Sequence, residues 1–338
     1  RKIITHFNGR SMESPDLKNR FYIDERGGIG EYGEIDHLYR NRGGLRFEKI
    51  EFTQGAFLSE DGTPLTTPLF DWGLAAAFRD LNQDGLPDLY VCNDFDTPDR
   101  IWLNQGRGVF RLLAETAMRQ SSWFSMGVDF ADLNRDGWDD FLTLDMMATS
   151  HEGRMTQLGD IAPAQHLIKN PVARPQFLKT CLFLNQGDGH YLEMAHAGGV
   201  AATDWAWCPA FVDVDLDGFE DLLVTNGNER DGRNLDVEAI LTRLRAEKAM
   251  SDDQIFTERM RFSRLPSANL AYRGTGDGRF STVDGDWGFG HVGVSHGMAL
   301  GDLDGDGDLD AVVSHLNEPL GFYRNDSTND RIQVRLKG

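Results

Sequence analysis

Four nine-residue runs place oxygen-bearing side chains at alternate positions. They are Asp80-Leu-Asn82-Gln-Asp84-Gly85-Leu86-Pro-Asp88, Asp132-Leu-Asn134-Arg-Asp136-Gly137-Trp138-Asp-Asp140, Asp213-Val-Asp215-Leu-Asp217-Gly218-Phe219-Glu-Asp221 and Asp302-Leu-Asp304-Gly-Asp306-Gly307-Asp308-Leu-Asp310. Carboxylates packed so closely repel one another unless a cation sits among them. Ca²⁺ takes six to eight hard oxygen ligands, and side chains at positions 1, 3, 5 and 9 with a backbone carbonyl at 7 can wrap one ion. The glycine at position 6 permits the sharp turn that such wrapping needs. The carbonyls would come from Leu86, Trp138, Phe219 and Asp308, and the free variation of side chain at that position is what backbone coordination predicts. About four Ca²⁺ ions are expected, one per loop.

Related calcium loops do not fit. An EF-hand carries a Glu at position 12 between two helices, whereas position 12 here is Val91, Thr143, Val224 and Val313. The glycine-rich nonapeptide of parallel β-helices is also absent. Four divalent ions add eight positive charges and would move the formal charge from −20 to −12.

The elements that must hold these loops recur with them. A short apolar run precedes each loop (74–78, 126–130, 209–212, 298–300) and another follows (89–92, 141–144, 222–225, 311–314). A strand ending in a Gly- or Asn-rich turn comes later, at Ile101–Phe110, Leu182–Tyr191, Leu270–Phe280 and Phe322–Asp326, and once near the start at Leu38–Phe47. Short β-rich runs bounded by Gly, Asn and Asp read as strands. Each unit therefore supplies four antiparallel strands, and a repeated four-stranded unit is a propeller blade. The expected fold is all-β: a β-propeller of four-stranded antiparallel blades with Ca-binding Asp loops, plus a helical insertion. The expected organisation is a single propeller over 1–338, either a piece of a longer chain or completed by an assembly. Insertions fall at about 146–176 and 228–267. In the second, Val237, Ile240, Leu241 and Leu244 repeat at helical spacing, and Ser251 to Gln254 fits a capping box.

The loops and their flanks resemble the FG-GAP/VCBS repeats of integrin α-chain propellers and many secreted bacterial proteins. Within that group, Ala202–Gly227, with Val91-Cys-Asn-Asp-Phe95 and Pro98-Asp-Arg-Ile-Trp-Leu-Asn104, is similar to the cartilage acidic protein (ASPIC/UnbV-associated) branch. The resemblance implies a calcium-binding, usually secreted propeller with adhesion or scaffold roles more often than catalysis. Two departures stand out. Ile332–Lys337 resembles only the opening strand of the small β-domain that often ends family members, and the blade signal at Leu38 has no Asp loop upstream. Four loops and five closing turns fall short of seven blades.

No enzyme signature accompanies the loops. Nine histidines are scattered without zinc-binding spacing, and no nucleophile elbow or phosphate-cradling loop occurs. His291 and His296 lie near Trp287 and could line a pocket. Trp72, Trp123, Trp205 and Trp207 precede Asp loops, where packing between blades is the expected role and carbohydrate stacking the rival. Fifty-four acidic against 34 basic residues argue against a nucleic-acid partner, and no run of ~18 apolar residues could cross a membrane as a helix. Cys92, Cys181 and Cys208 allow either three thiols or one bridge with a leftover thiol. Arg1 opens the chain, so either a targeting segment was removed or the sequence starts inside a longer one. The expected setting is extracellular or periplasmic, with association to a cell surface or membrane complex. The expected function is a non-catalytic binding, adhesion or structural subunit that meets a protein or glycan partner through its insertions. The alternative is a secreted, for example polysaccharide-cleaving, enzyme with a site in the propeller funnel.

Overall fold

The computed structural model describes residues 2–3, 5–7, 10–11, 21–23, 29–95, 97–157, 174–247, 252–283 and 285–329. The chain is mostly β and carries four blades of propeller type. It divides into two compact units, Arg1–Glu115 and Thr116–Gly338.

The first unit holds one blade. Its strands are Gly73–Arg79, Asp88–Asn93, Arg100–Asn104 and Phe110–Leu112, each antiparallel to the next, with Leu89 opposite both Phe78 and Trp102. The Asp88–Asn93 strand is buried along its whole length, as a run with apolar side chains on both faces requires. A fifth strand, Phe57–Leu58, adds in parallel to Phe110–Leu112 and brings Phe57 against Trp102 and Phe110. The turn signal at 38–47 forms a separate hairpin, Leu38–Asn41 with Phe47–Ile50. Farther upstream, Phe21–Ile23 joins Lys2–Ile3 and Ile29–Glu31 in a three-stranded sheet.

The second unit holds three blades. Val128–Ala131, Asp140–Thr143, Cys181–Asn185 and Tyr191–Glu193 form one; Ala206–Val212, Asp221–Asn226, Leu270–Gly274 and Phe280–Thr282 form the next. The last has three strands among the described residues, Ser295–Gly301, Asp310–His315 and Gly321–Tyr323. The innermost strands lie side by side. Phe211 donates its N–H to Asp129 Oδ2 at 2.7 Å, and Thr225 Oγ1 donates to the His296 carbonyl at 2.5 Å, so polar bonds cross both blade boundaries. One core, including Leu142, Leu182, Leu222, Val224 and Phe280, runs through the first two of these blades. Trp123, Trp205 and Trp207 pack against it, the structural role expected for them; Trp72 stands edge-on to Phe95 in the first unit.

The insertion at 228–267 is helical, as its periodicity predicts: Leu235–Glu247 and Asp252–Arg259. Of its stripe, Leu241 is buried whereas Ile240 is exposed. Ser251 lies outside the described residues. In the other insertion His151–Gln157 forms a helix and Gln176–Phe177 pairs in parallel with Ser121–Ser122, while 158–173 lie outside the described residues, as do Ile332–Lys337. All three cysteines are free thiols; Cys92 and Cys181 are buried and Cys208 partly so. No helix among the described residues is long and apolar enough to cross a membrane.

Candidate metal centre: four aspartate loops on one hydrogen-bond frame

Each loop joins the first two strands of its blade, so strands and not helices flank all four. The frame repeats almost atom for atom in the first three. The carboxylate at position 1 spans the turn: Asp80 Oδ1 accepts from the Asp84 N–H at 3.1 Å and Oδ2 from the Gly85 N–H at 2.9 Å. Asp132 does the same for Asp136 and Gly137, and Asp213 for Asp217 and Gly218. The carboxylate at position 5 then turns back on the N–H at position 7, Leu86, Trp138 or Phe219, at 2.8–2.9 Å. The glycine at position 6 sits at φ between +82° and +101° in all four loops, where a side chain is strained. Position 4 is also left-handed, at Gln83, Arg135, Leu216 and Gly305.

Position 9 is the structural hinge of the motif. Asp88, Asp140, Asp221 and Asp310 are almost fully buried. One oxygen of each accepts the N–H of the residue at position 2, Leu81, Leu133, Val214 or Leu303 in that order, at 2.8–3.1 Å. The other accepts an N–H at the end of the third strand, from Asn104, Asn185, Gly274 or Asn325, at 2.7–2.9 Å. One carboxylate thus ties the loop to the blade that carries it. Burial pushes the Asp88 carboxyl up to about 6 and those of Asp140 and Asp221 to about 7; the backbone bonds pull down and the neighbouring loop carboxylates add to the rise. Burial likewise raises Asp213.

Carboxylates raised by desolvation and by one another fit a site made for a cation. The third and fourth loops show this in geometry, for ligand oxygens of Asp213, Asp215 and Asp221, and of Asp302, Asp304 and Asp310, lie within 4.8 Å of one another. The first two loops carry Asn82 and Asn134 at position 3, and their amides donate to Asp84 Oδ2 and Asp136 Oδ2. The donor set is all oxygen, which suits Ca²⁺ better than a transition metal.

Residues 80–143 and 261–313 match the model of the FG-GAP-like repeat. The chain carries FG-GAP-like repeats. The first stretch holds the Asp loops at 80–88 and 132–140 and the second holds the loop at 302–310, so the match falls on the units that the geometry repeats. No curated protein sequence matches the chain. Among solved structures it is similar to an Agrocybe aegerita lectin described as recognising non-reducing terminal N-acetylglucosamine, at 16% identity and a TM-score of 0.39, over 91% of this chain and 66% of that one. It is also similar to a rhamnogalacturonan lyase, at 16% identity and a TM-score of 0.34, over 74% of this chain and 42% of the other.

Beside the third loop, a cavity of about 350 Å³ in the second unit is walled by Trp287, Phe289 and Tyr323 and rimmed by Asp215, Asp286, Arg324 and Asp326. Its residues come from five separate segments, so no local run of sequence announces it. His291 and His296 do not line it. His296 stands edge-on to Trp207, with ring centroids 4.8 Å apart, and His291 turns to Glu318 and His315.

Proposed function

We propose that the protein is a calcium-binding, non-catalytic binding module of the cartilage acidic protein branch, working outside the cytoplasm. The observation that carries this is the common frame of the four loops, with carboxylates of positions 1, 3 and 9 drawn together in two of them. Asp80, Asn82, Asp84 and Asp88, with the Leu86 carbonyl, would hold one ion, and the other loops would do so in the same way. The ion supplies positive charge to clustered carboxylates that otherwise repel, and so fixes the bend between two strands. Rigid blades then present the insertions at 146–176 and 228–267 to a protein or glycan partner.

The aromatic walls and carboxylate rim of the second-unit cavity favour a neutral, hydroxyl-rich ligand there, because apolar sugar faces stack on rings while carboxylates accept from hydroxyls. Calcium titration of chelator-stripped protein, followed by calorimetry, tests the core of the proposal: about four saturable sites are expected. The absence of saturable heat overturns it. Turnover of a polysaccharide by the calcium-loaded protein would replace the binder with the enzyme alternative.

A further inference from the structure

The second unit holds a cluster of different donor chemistry at the far end of its last blade. His291 and His315 pack ring on ring, with centroids 4.3 Å apart and planes tilted by 44°. His291 Nε2 lies 3.0 Å from Glu318 Oε2. His315 Nδ1 lies 2.9 Å from Ser295 Oγ, and Ser295 is fully buried. His315 Nε2 is buried with no hydrogen-bond partner. When the Nδ1 proton is donated to Ser295, Nε2 carries a lone pair with nothing to accept, which is how a metal-ligating imidazole is held by its outer partner.

Three elements place the donors. His291 is fixed by its own main chain, its N–H donating to the Phe289 carbonyl and its carbonyl accepting from the Asn269 N–H. His315 closes the Asp310–His315 strand, opposite Ser295 at the start of Ser295–Gly301. Glu318 follows in the next turn and is exposed. Two glycines keep the space beside both rings clear. A Cβ at Gly293 would stand 2.6 Å from His291 Nε2, and one at Gly321 would stand 2.5 Å from His315 Nε2.

We propose that His291, His315 and Glu318 form a binding site for a borderline divalent transition ion of the Zn²⁺ class, with Ser295 as the positioning residue for His315. Two neutral imidazole nitrogens and one carboxylate oxygen, with water completing the shell, are a zinc donor set and a poor calcium one. The molecule thereby sorts two metals by ligand type: all-oxygen loops for the hard ion, a nitrogen-rich corner for the softer one. The three donors are not yet closed on a point, since among the described residues only the two Asp loops bring three ligand atoms within 4.8 Å. Side-chain rotation of the exposed Glu318 and of His291 draws them in, so zinc should tie the 289–293 segment to the turn after the last long strand.

The test is calorimetric titration of zinc into the full chain saturated with calcium. One site is expected that excess calcium does not displace. His291→Ala and Glu318→Gln should each weaken it by tenfold or more, and Ser295→Ala by about tenfold. Cobalt in place of zinc should give visible absorption of a four-coordinate nitrogen–oxygen site, lost in His291→Ala. Near-ultraviolet circular dichroism confirms that each variant is folded, and Glu318→Gln, at an exposed position, serves if a histidine variant is not. No saturable zinc uptake in wild type, or uptake that both His291→Ala and Glu318→Gln leave unchanged, overturns the site.

Discussion

The first two Asp loops and the last two solve the same electrostatic problem differently. Where position 3 is Asn, its amide supplies a donor to the position-5 carboxylate, so the turn is partly closed by its own hydrogen bonds. Where position 3 is Asp, a further acceptor replaces that donor. Asp215 gains an ion pair with Arg273 at 2.8 Å, and the last loop packs five aspartates into nine residues. A loop with an internal donor is half satisfied, whereas a loop of carboxylates alone depends on a cation from outside. Ion dependence should therefore be graded, steepest in the third and fourth loops.

Calcium removal should produce the largest effect. Ligands that bind only the folded state stabilise by about 2.7 kcal/mol per site at a hundredfold excess over Kd. Several sites together predict a fall in melting temperature of roughly 10 °C or more in excess chelator. Hydrogen exchange sharpens the comparison. Under partial chelation Asp221–Asn226 and Asp310–His315 should lose protection before Asp88–Asn93. An unmoved melting curve would break it altogether.

Next in size is the buried carboxylate at position 9. Asp221→Ala removes a ligand and leaves the Val214 and Gly274 N–H groups without their acceptor. Orphaned buried donors cost about 1–3 kcal/mol each, so a loss of roughly 2–6 kcal/mol is expected from urea unfolding of the calcium-loaded protein. A loss below 1 kcal/mol would mean that position 9 is not the hinge described above.

Acidity supplies the third effect. Burial holds the Asp88 carboxyl at about 6 and those of Asp140 and Asp221 at about 7 in the stripped fold, well above the ordinary aspartate range. A raised carboxyl pKa means that the fold prefers the protonated form, so the stripped protein should lose stability as pH rises from about 4 through about 7. Calcium requires the ionised form and offsets that loss. The gap in melting temperature between loaded and stripped protein should therefore widen from pH 5 to pH 8, by about 5 °C or more. A constant gap would separate these carboxylates from the metal.

Exchanging the third residue tests the comparison directly. Asp215→Asn gives the third loop the pattern of the first, and should raise the stability of the stripped protein by about 0.5–1 kcal/mol while lowering calcium affinity. Asn134→Asp should do the reverse in the second loop. Parallel thermal scans with and without chelator read both, and the same sign for the two exchanges would sink the contrast.

The repeated loops, their flanking strands and the helical insertion were legible because each carries a local signal: alternate Asp, an invariant glycine, apolar runs of strand length. Five features were not. The parallel strand Phe57–Leu58 is two residues long and depends on Phe110 for its place. That the last blade shows three strands among the described residues could not be told from its turn signal, which matches the others as far as Asn325. The cavity at Trp287 and the cluster of His291, His315 and Glu318 join residues far apart in sequence, and scattered histidines show no spacing until strands bring them together. Position 4 of the loops was equally silent, since Gln, Arg and Leu carry no mark of a left-handed backbone.

That position gives the smallest effect and a clean one. Gln83, Arg135 and Leu216 stand at φ of 55–59°, while the last loop meets the same need with Gly305 at +80°. A left-handed residue with a Cβ costs roughly 1–2 kcal/mol, and glycine avoids that strain while losing more freedom on folding, by roughly 0.5–1 kcal/mol. Leu216→Gly should therefore gain under about 1 kcal/mol, and Gly305→Leu should lose a similar amount, both by urea unfolding in calcium. In the last loop the freedom has a visible consequence: Asp302 Oδ1 accepts the N–H of Gly305 itself at 2.7 Å, where the other loops bond one residue later. Gly305→Leu should drive that bond to the position-5 N–H, and the Asp306 amide should then shift in its NMR spectrum toward the values of Asp84 and Asp136. An Asp306 amide that stays in place would assign the difference to the five aspartates and not to the glycine.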